Sequence, residues 1–292
     1  MRALLLHNPN AGKADHDRAD LVAALATTGL DVSYCSTRDD AFPACLAQDF
    51  DVLIVAGGDG TVAKVAKQGG DRRRPIGIVP LGGANNVATS LGIPRGGLHA
   101  VVPGAVIAQA FHVAQVEGSP GETSFLEGVG FGALAASIDI ETPPNRSVRG
   151  KIANGRQSFA AALAESEAAA VDLWIDGETL AGRWLMVEVL SFSHSGPRLP
   201  LAPGSGGLEG AVSVVLLEED RRSAMLAWLM DPEASAPPVR VVVGRNVAFR
   251  LDHDLPFRID DDTPRAAGCQ IVIGMQSEPL RILVPERPSG GR

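Results

Sequence analysis

In the first third of the chain, short apolar runs alternate with helix-like stretches. Residues 3–6, 32–35, 52–56 and 76–79 read as buried strands. Between the first two, residues 17–28 carry Leu21, Val22, Ala24 and Leu25 on one helical face, and Gly29 supplies a stop. Further helices are expected from Thr61 and from Asn85. Asn85 is an N-cap residue type, and that helix should close at Gly92 before Pro94. Strands and helices in alternation predict an open parallel sheet.

From about Phe111 the texture changes. Residues 112–116, 171–175, 184–190, 211–217 and 239–243 are strand-like runs punctuated by Gly, Pro and Ser, as in an antiparallel β domain. Helices are expected over 157–168 and 221–230, a Pro-rich surface loop over 231–238, and disorder over 288–292. The last apolar run, 280–284, lies beyond this stretch and is expected to return to the first domain.

A chain of 292 residues, 45% of them hydrophobic, can supply a core for each of two domains. Its formal charge of -8 repels a phosphate backbone, which argues against nucleic acid as a partner. The tightest basic run, Arg72-Arg73-Arg74, reads as a solvated loop. Cys35, Cys45 and Cys269 lack metal-ligand spacing and suit free thiols of a cytoplasmic protein. Residues 1–8 hold an apolar run too short for a signal peptide or a membrane span.

The strongest chemical signal is Gly57-Gly58-Asp59-Gly60-Thr61, between a strand and a helix. Glycines let backbone approach phosphate oxygens, the helix start offers unpaired N–H groups, and Asp59 would hold Mg2+ directly or through water. The pattern is neither GxGxxG nor a Walker A loop.

This loop resembles the Gly-Gly-Asp-Gly-Thr of diacylglycerol kinases, sphingosine kinases and NAD kinases. Upstream, Asn8-Pro9-Asn10-Ala11-Gly12-Lys13 resembles the Asn-Pro-x-x-Gly turn with which the lipid kinases begin. Downstream, residues 80–93, with Pro80-Leu81-Gly82-Gly83-Ala84-Asn85-Asn86, resemble their Pro-Leu-Gly-Thr-x-Asn-Asp segment and are less similar to NAD kinases. Gly128-Val129-Gly130-Phe131-Gly132 and Leu201-Ala202-Pro203 with Leu208-Glu209-Gly210 extend the similarity through the β-rich part. Arg258-Ile259-Asp260-Asp261-Asp262 stands in the place of the Leu-Asp-Gly-Glu motif of bacterial diacylglycerol kinases.

The resemblance implies an ATP- and Mg2+-dependent kinase that phosphorylates the hydroxyl of a lipid such as diacylglycerol. It would be cytoplasmic, with peripheral membrane contact. Nucleotide would be bound by Asn8, Asn10, Gly12, Lys13, Thr37, Gly57, Gly58, Asp59, Gly60, Thr61, Gly82, Gly83 and Asn85. Asp260 would be the general base, and Asp262 would stand for the motif's Glu. The implied fold is α/β: an open parallel-sheet nucleotide-binding domain over residues 1–108 plus 277–292, and an antiparallel β-sandwich-like domain over 109–276 carrying Asp260. Oligomeric state is left open, with an antiparallel edge as one route to a dimer.

The chain departs from the family at Ala63, Lys64 and Lys67, where Asn, Glu and Asn are common. Asn86 replaces an Asp, and Glu209 replaces the Asp of a structural metal site that is therefore not expected. These departures keep a second reading open, a non-catalytic nucleotide- or lipid-binding homologue, and behind it a small-molecule kinase of the NAD type. Asp176-Gly177-Glu178 reads as a hairpin turn and is the chief rival to Asp260. Ser193-His194-Ser195 specifies no acid partner and reads as a loop. The other histidines lack zinc spacing, and His7 should border the first strand.

Overall fold

The computed structural model describes residues 1–13, 16–39, 42–68, 71–95, 106–118, 121–145, 147–204 and 210–286. Two compact units emerge, one of residues 1–111 with 278–292 and the other of 112–277. Phe111, which the change of texture assigns to the β-rich part, pairs instead with Leu280 in the first unit.

In unit 1, β1 (Arg2–His7), α1 (Arg18–Ala26), β2 (Asp31–Ser36), α2 (Phe42–Leu46), β3 (Val52–Gly57), α3 (Asp59–Gln68), β4 (Pro75–Pro80) and α4 (Asn86–Ser90) precede β5 (Val106–Phe111). β1 to β4 pair in parallel, in the order β2-β1-β3-β4. Such strands are covered on both faces, which is why β3 is buried at every position. Leu21 and Leu25 of α1 pack on Ala3, Leu5 and Ile54.

Three local expectations are corrected. α3 begins at Asp59 rather than Thr61, so the acidic residue sits in the helix's first turn, where the dipole favours it. Asn85 precedes α4 but makes no side-chain cap. Its φ of 51° turns the side chain back on Gly82, whose N–H it accepts at 2.9 Å and whose carbonyl it donates to at 3.0 Å. Cys35 and Cys45, expected as free thiols, are joined in a disulfide, because β2 and α2 bring their Cα atoms to 6.5 Å.

Unit 2 is a β-sandwich with helices on one side. Its elements are β6 (Ala114–Gly118), β7 (Gly121–Phe125), β8 (Gly128–Gly132), α5 (Ala133–Ala136), α6 (Val148–Glu165), β9 (Ala169–Ala170), β10 (Leu173–Ile175) and β11 (Glu178–Leu180). They continue with β12 (Arg183–Leu190), β13 (Val212–Glu218), α7 (Arg222–Trp228), β14 (Arg240–Gly244), β15 (Val247–Leu251), β16 (Phe257–Ile259) and β17 (Cys269–Met275). One sheet runs β11-β10-β15-β17-β6-β7, the other β14-β13-β12-β8-β16, with β9 beside β12. The inner faces meet through Phe131, Val187, Val189, Val214, Phe249, Ile271 and Ile273. The outer face of the second sheet, with Met186, Val215 and Leu217, packs on Leu134, Phe159, Leu163 and Met225 of the helices.

α6 starts at Val148, well before the expected residue 157. Ser147 caps it by accepting from Gly150, but its first turns carry few apolar residues, so periodicity alone misses them. The expected strand from residue 112 starts at Ala114. Asp176 and Gly177, with φ of 49° and 91°, make the β10–β11 hairpin turn as expected.

The chain then returns to unit 1. β18 (Leu280–Pro285) lies between β4, which it joins in parallel, and β5, which it joins antiparallel.

Candidate functional site

In unit 1 four loops leave the carboxyl ends of parallel strands, where open α/β sheets hold ligands. After β1, Asn8 donates to Thr61 Oγ1 at 3.2 Å and accepts from Asn10 N at 3.1 Å, folding the 8–13 turn onto the glycine loop. After β2, Thr37 donates its N–H to His7 O, and Lys64 Nζ donates to Thr37 O at 3.2 Å. After β3 and β4 the two glycine segments touch. A Cβ on Gly82 would stand 2.5 Å from Gly58 Cα, and one on Gly57 would strike the Thr61 side chain at 2.4 Å.

Between these loops lies a cavity of about 390 Å³ lined by Asn8, Ala11, Gly12, Thr37, Gly58, Gly60, Thr61, Lys64 and Gly82. Seven of the thirteen residues expected to bind nucleotide are among its walls, and six are not. Gly57 lies beneath Thr61. Asp59 accepts the Val87 N–H at 2.9 Å and braces the start of α4, while Asn85 braces Gly82. Asn10, Lys13 and Gly83 are outside the lining. Lys64 enters it, held over the Phe42 ring at 4.2 Å. The sequence marks Lys64 only as a departure, and its reach across to Thr37 is a tertiary fact.

His7 ends β1 buried, donating or accepting with Tyr34 Oη at 3.2 Å and His16 Nδ1 at 2.8 Å. Burial first, and His16 second, lower its pKa. Arg95 donates to Gly83 O, and burial lowers its pKa while Asp59 opposes the shift.

Gly12 has a φ of 59°, and a Cβ there would lie 2.1 Å from Leu81 O. Gly12→Ala is expected to cost about 2–3 kcal/mol of stability and to splay the cavity wall, read as a lower urea midpoint at unchanged slope.

In unit 2, Asp260 follows β16 with a left-handed φ of 53°. Its carboxylate accepts the N–H groups of Leu126, Glu127 and Gly128 at 2.8 to 3.3 Å. Asp176 has the same backbone and clasps Arg245 N and Asn246 N, bonds that hold its pKa below the usual range. The two aspartates differ in surroundings: Arg258 of β16, two residues before Asp260, and Asp261, just after it, line a cavity of about 460 Å³ with Leu134, Ile138, Ile140, Pro143, Lys151 and Pro197, although Asp260 itself is not among its walls. Asp262 is exposed in the tight turn it closes with Ile259. Ser193 and His194 pair with each other at 2.9 Å. Glu209 lies outside the described residues, and among those described no group of three or more His, Cys, Asp or Glu side chains could hold a metal.

A buried charge cluster beside Asp260 escaped the sequence reading. Arg258, 2% exposed, donates to Glu188 Oε2 at 2.8 Å, to Ser195 Oγ at 2.6 Å and to Asp260 O at 2.8 Å. Glu188 is 0% exposed. Burial pushes its carboxyl up and Arg258 opposes the shift. The same burial lowers Arg258 but is outweighed by Glu188 and Glu127, which hold it above its ordinary value. The signal was present: one charge inside each of two apolar runs, Met-Val-Glu-Val-Leu and Phe-Arg-Ile, and glycines at alternate positions of β8. Gly130 is paired with both Glu188 and Arg258, and a Cβ there would stand 2.5 Å from Glu188 Cδ.

Residues 2–115 match the model of the diacylglycerol kinase catalytic domain. A diacylglycerol kinase of Staphylococcus saprophyticus is 28% identical over 276 residues, covering 89% of this chain and 88% of its own. One of Bacillus subtilis is 25% identical over 230 residues, covering 75% and 74%. A crystal structure of a diacylglycerol kinase from Bacillus anthracis superposes with a TM-score of 0.72 at 17% identity, covering 97% of this chain and 96% of the other, which shows a shared fold. With its glycine loops gathered at one sheet edge, the stretch 2–115 is thus similar to the diacylglycerol kinase catalytic domain.

Proposed function

We propose that this protein transfers the γ-phosphoryl group of ATP to the hydroxyl of a lipid such as diacylglycerol. The observation that carries the reading is the unit 1 cavity, whose walls are the glycine loops of a family of kinases. Gly58, Gly60 and the start of α3 present backbone N–H groups to the triphosphate, Thr61 and Asn8 fix the loop, and Lys64 adds a cation. Asp59, the one carboxylate among the residues expected to bind nucleotide, braces the Val87 N–H and is not among the cavity walls, so a Mg2+ would be carried mainly by the phosphates. That ion would neutralise charge on the transferring phosphoryl group. In unit 2 the apolar walls beside Asp261 suit the acceptor, and Asp260 takes the proton of its hydroxyl. No helix among the described residues is long and apolar enough to cross a membrane, so this reading has the enzyme meet its lipid at the bilayer surface.

One observation favours a second reading. The Asp260 carboxylate already accepts three backbone N–H groups, as a purely structural anchor would. Phosphate transfer from labelled MgATP to a panel of lipids in mixed micelles decides between the two. Transfer to a lipid is expected. Calorimetric ATP binding without transfer to any lipid would leave a non-catalytic binding protein, and transfer to a soluble acceptor alone would point to a small-molecule kinase.

A further inference from the structure

Arg258 has five N–H donors in a rigid fork, and the structure aims them at three different segments. Nε and Nη2 hold Glu188 of β12 at 2.8 to 3.1 Å. Nη2 also donates to Ser195 Oγ, whose O–H donates to Glu127 Oε1 at 2.8 Å, and the same Glu127 oxygen accepts Gly196 N–H at 2.7 Å. Nη1 donates to the backbone carbonyl of Asp260. The segment 126–128, which precedes and opens β8, donates its amides back to the Asp260 carboxylate. The circuit therefore closes on itself: guanidinium, serine hydroxyl, Glu127, the amides beside it, and Asp260.

Two features make this more than a buried ion pair. Asp260 has a left-handed φ of 53°, which aspartate tolerates better than most residues, and three backbone amides anchor its carboxylate there. And Gly196 and Pro197, next to the serine, are walls of the same cavity that Arg258 and Asp261 line. One side chain thus sets both the carboxylate and the wall. β8 accommodates the crossing by having Gly130 between Arg258 and Glu188, where any Cβ would collide with the Glu188 carboxylate and the Val187 carbonyl.

We propose that Arg258, acting through Ser195 and Glu127, is the positioning residue that fixes Asp260 relative to the acceptor cavity, an inference that rests on the kinase reading above. Lysine cannot replace it, since an ammonium group keeps the charge but cannot span Glu188, Ser195 and the Asp260 carbonyl together.

The test uses the full chain, with Arg258→Lys and Ser195→Ala compared with the unaltered protein for lipid phosphorylation and ATP binding. Hydrogen exchange at the Leu126, Glu127 and Gly128 amides is followed in parallel. Arg258→Lys is expected to lower kcat about 100-fold, as small misplacements of reacting groups do, with the lipid KM within about threefold. Ser195→Ala leaves the Arg258–Glu188 pair intact, so it decides the matter if Arg258→Lys does not fold. It should lower kcat about tenfold and speed exchange of the three amides by a similar factor. Folded variants with unchanged kcat overturn the proposal. So does a kcat loss matched by equal losses in ATP binding and thermal stability, which would mark the cluster as scaffold only. If the unaltered protein transfers no phosphate, the kinase reading fails. Faster exchange in Ser195→Ala would then still support the positioning of Asp260, and unchanged exchange would overturn it.

Discussion

Asp260→Ala is expected to reduce lipid phosphorylation about 10³-fold while ATP still binds with unaltered affinity. The size follows from removing the group that accepts the alcohol proton. The unaltered affinity follows because the glycine loops are built without Asp260. Alanine, however, also releases three backbone amides, so Asp260→Asn is the sharper variant. Asparagine tolerates the left-handed backbone and keeps an oxygen to accept those amides, yet it cannot take a proton. If Asp260 is the base, Asn should be nearly as inactive as Ala but close to the unaltered protein in melting temperature. An active Asn variant would reduce Asp260 to an anchor like Asp176.

Arg258→Met is expected to lower unfolding free energy by about 3–5 kcal/mol, because it leaves Glu188 buried without its counter-charge. The loss should depend on pH. Burial already pushes Glu188 up, and removing the guanidinium removes what opposes it. The folded variant then holds a proton that the unfolded chain gives up near its ordinary value of about 4.3. Below that value both states are protonated and the penalty is small. As pH rises the unfolded state ionises first, and stability falls until the folded value is passed. Urea midpoints between about pH 4 and 8 should therefore drop more steeply for the variant. Adding Glu188→Leu should restore most of the loss, since replacing both partners is often close to neutral.

The parallel half of the fold was legible because its signals are local. β1, β3 and β4 are unbroken apolar runs ended by glycine or Asn-Pro, and the turns that follow them carry the chemistry. Unit 2 was legible as strands but not as layers. β12 carries buried residues on both faces, so simple alternation cannot say that Val187 meets the other sheet while Met186 meets helices. In the candidate site the glycines were legible from spacing, whereas their division of labour was not. That Asp59 and Asn85 brace backbone rather than line the cavity depends on how two loops fold against each other. The disulfide was hidden for a similar reason, since sequence separation says nothing about how β2 and α2 approach.

The position of β18 has a consequence for synthesis. β5 is joined to the first unit's sheet only through β18, and β4 has β18 as its second neighbour. A nascent chain that has released residues 1–277 from the ribosome thus has four parallel strands whose β4 edge lacks its neighbour, and a fifth strand separated from its own partner. Closing that edge means joining segments some two hundred positions apart, a slow step in folding. Unit 1, although encoded first, is completed only by β18, so its sheet cannot close before residues 280–285 have been translated.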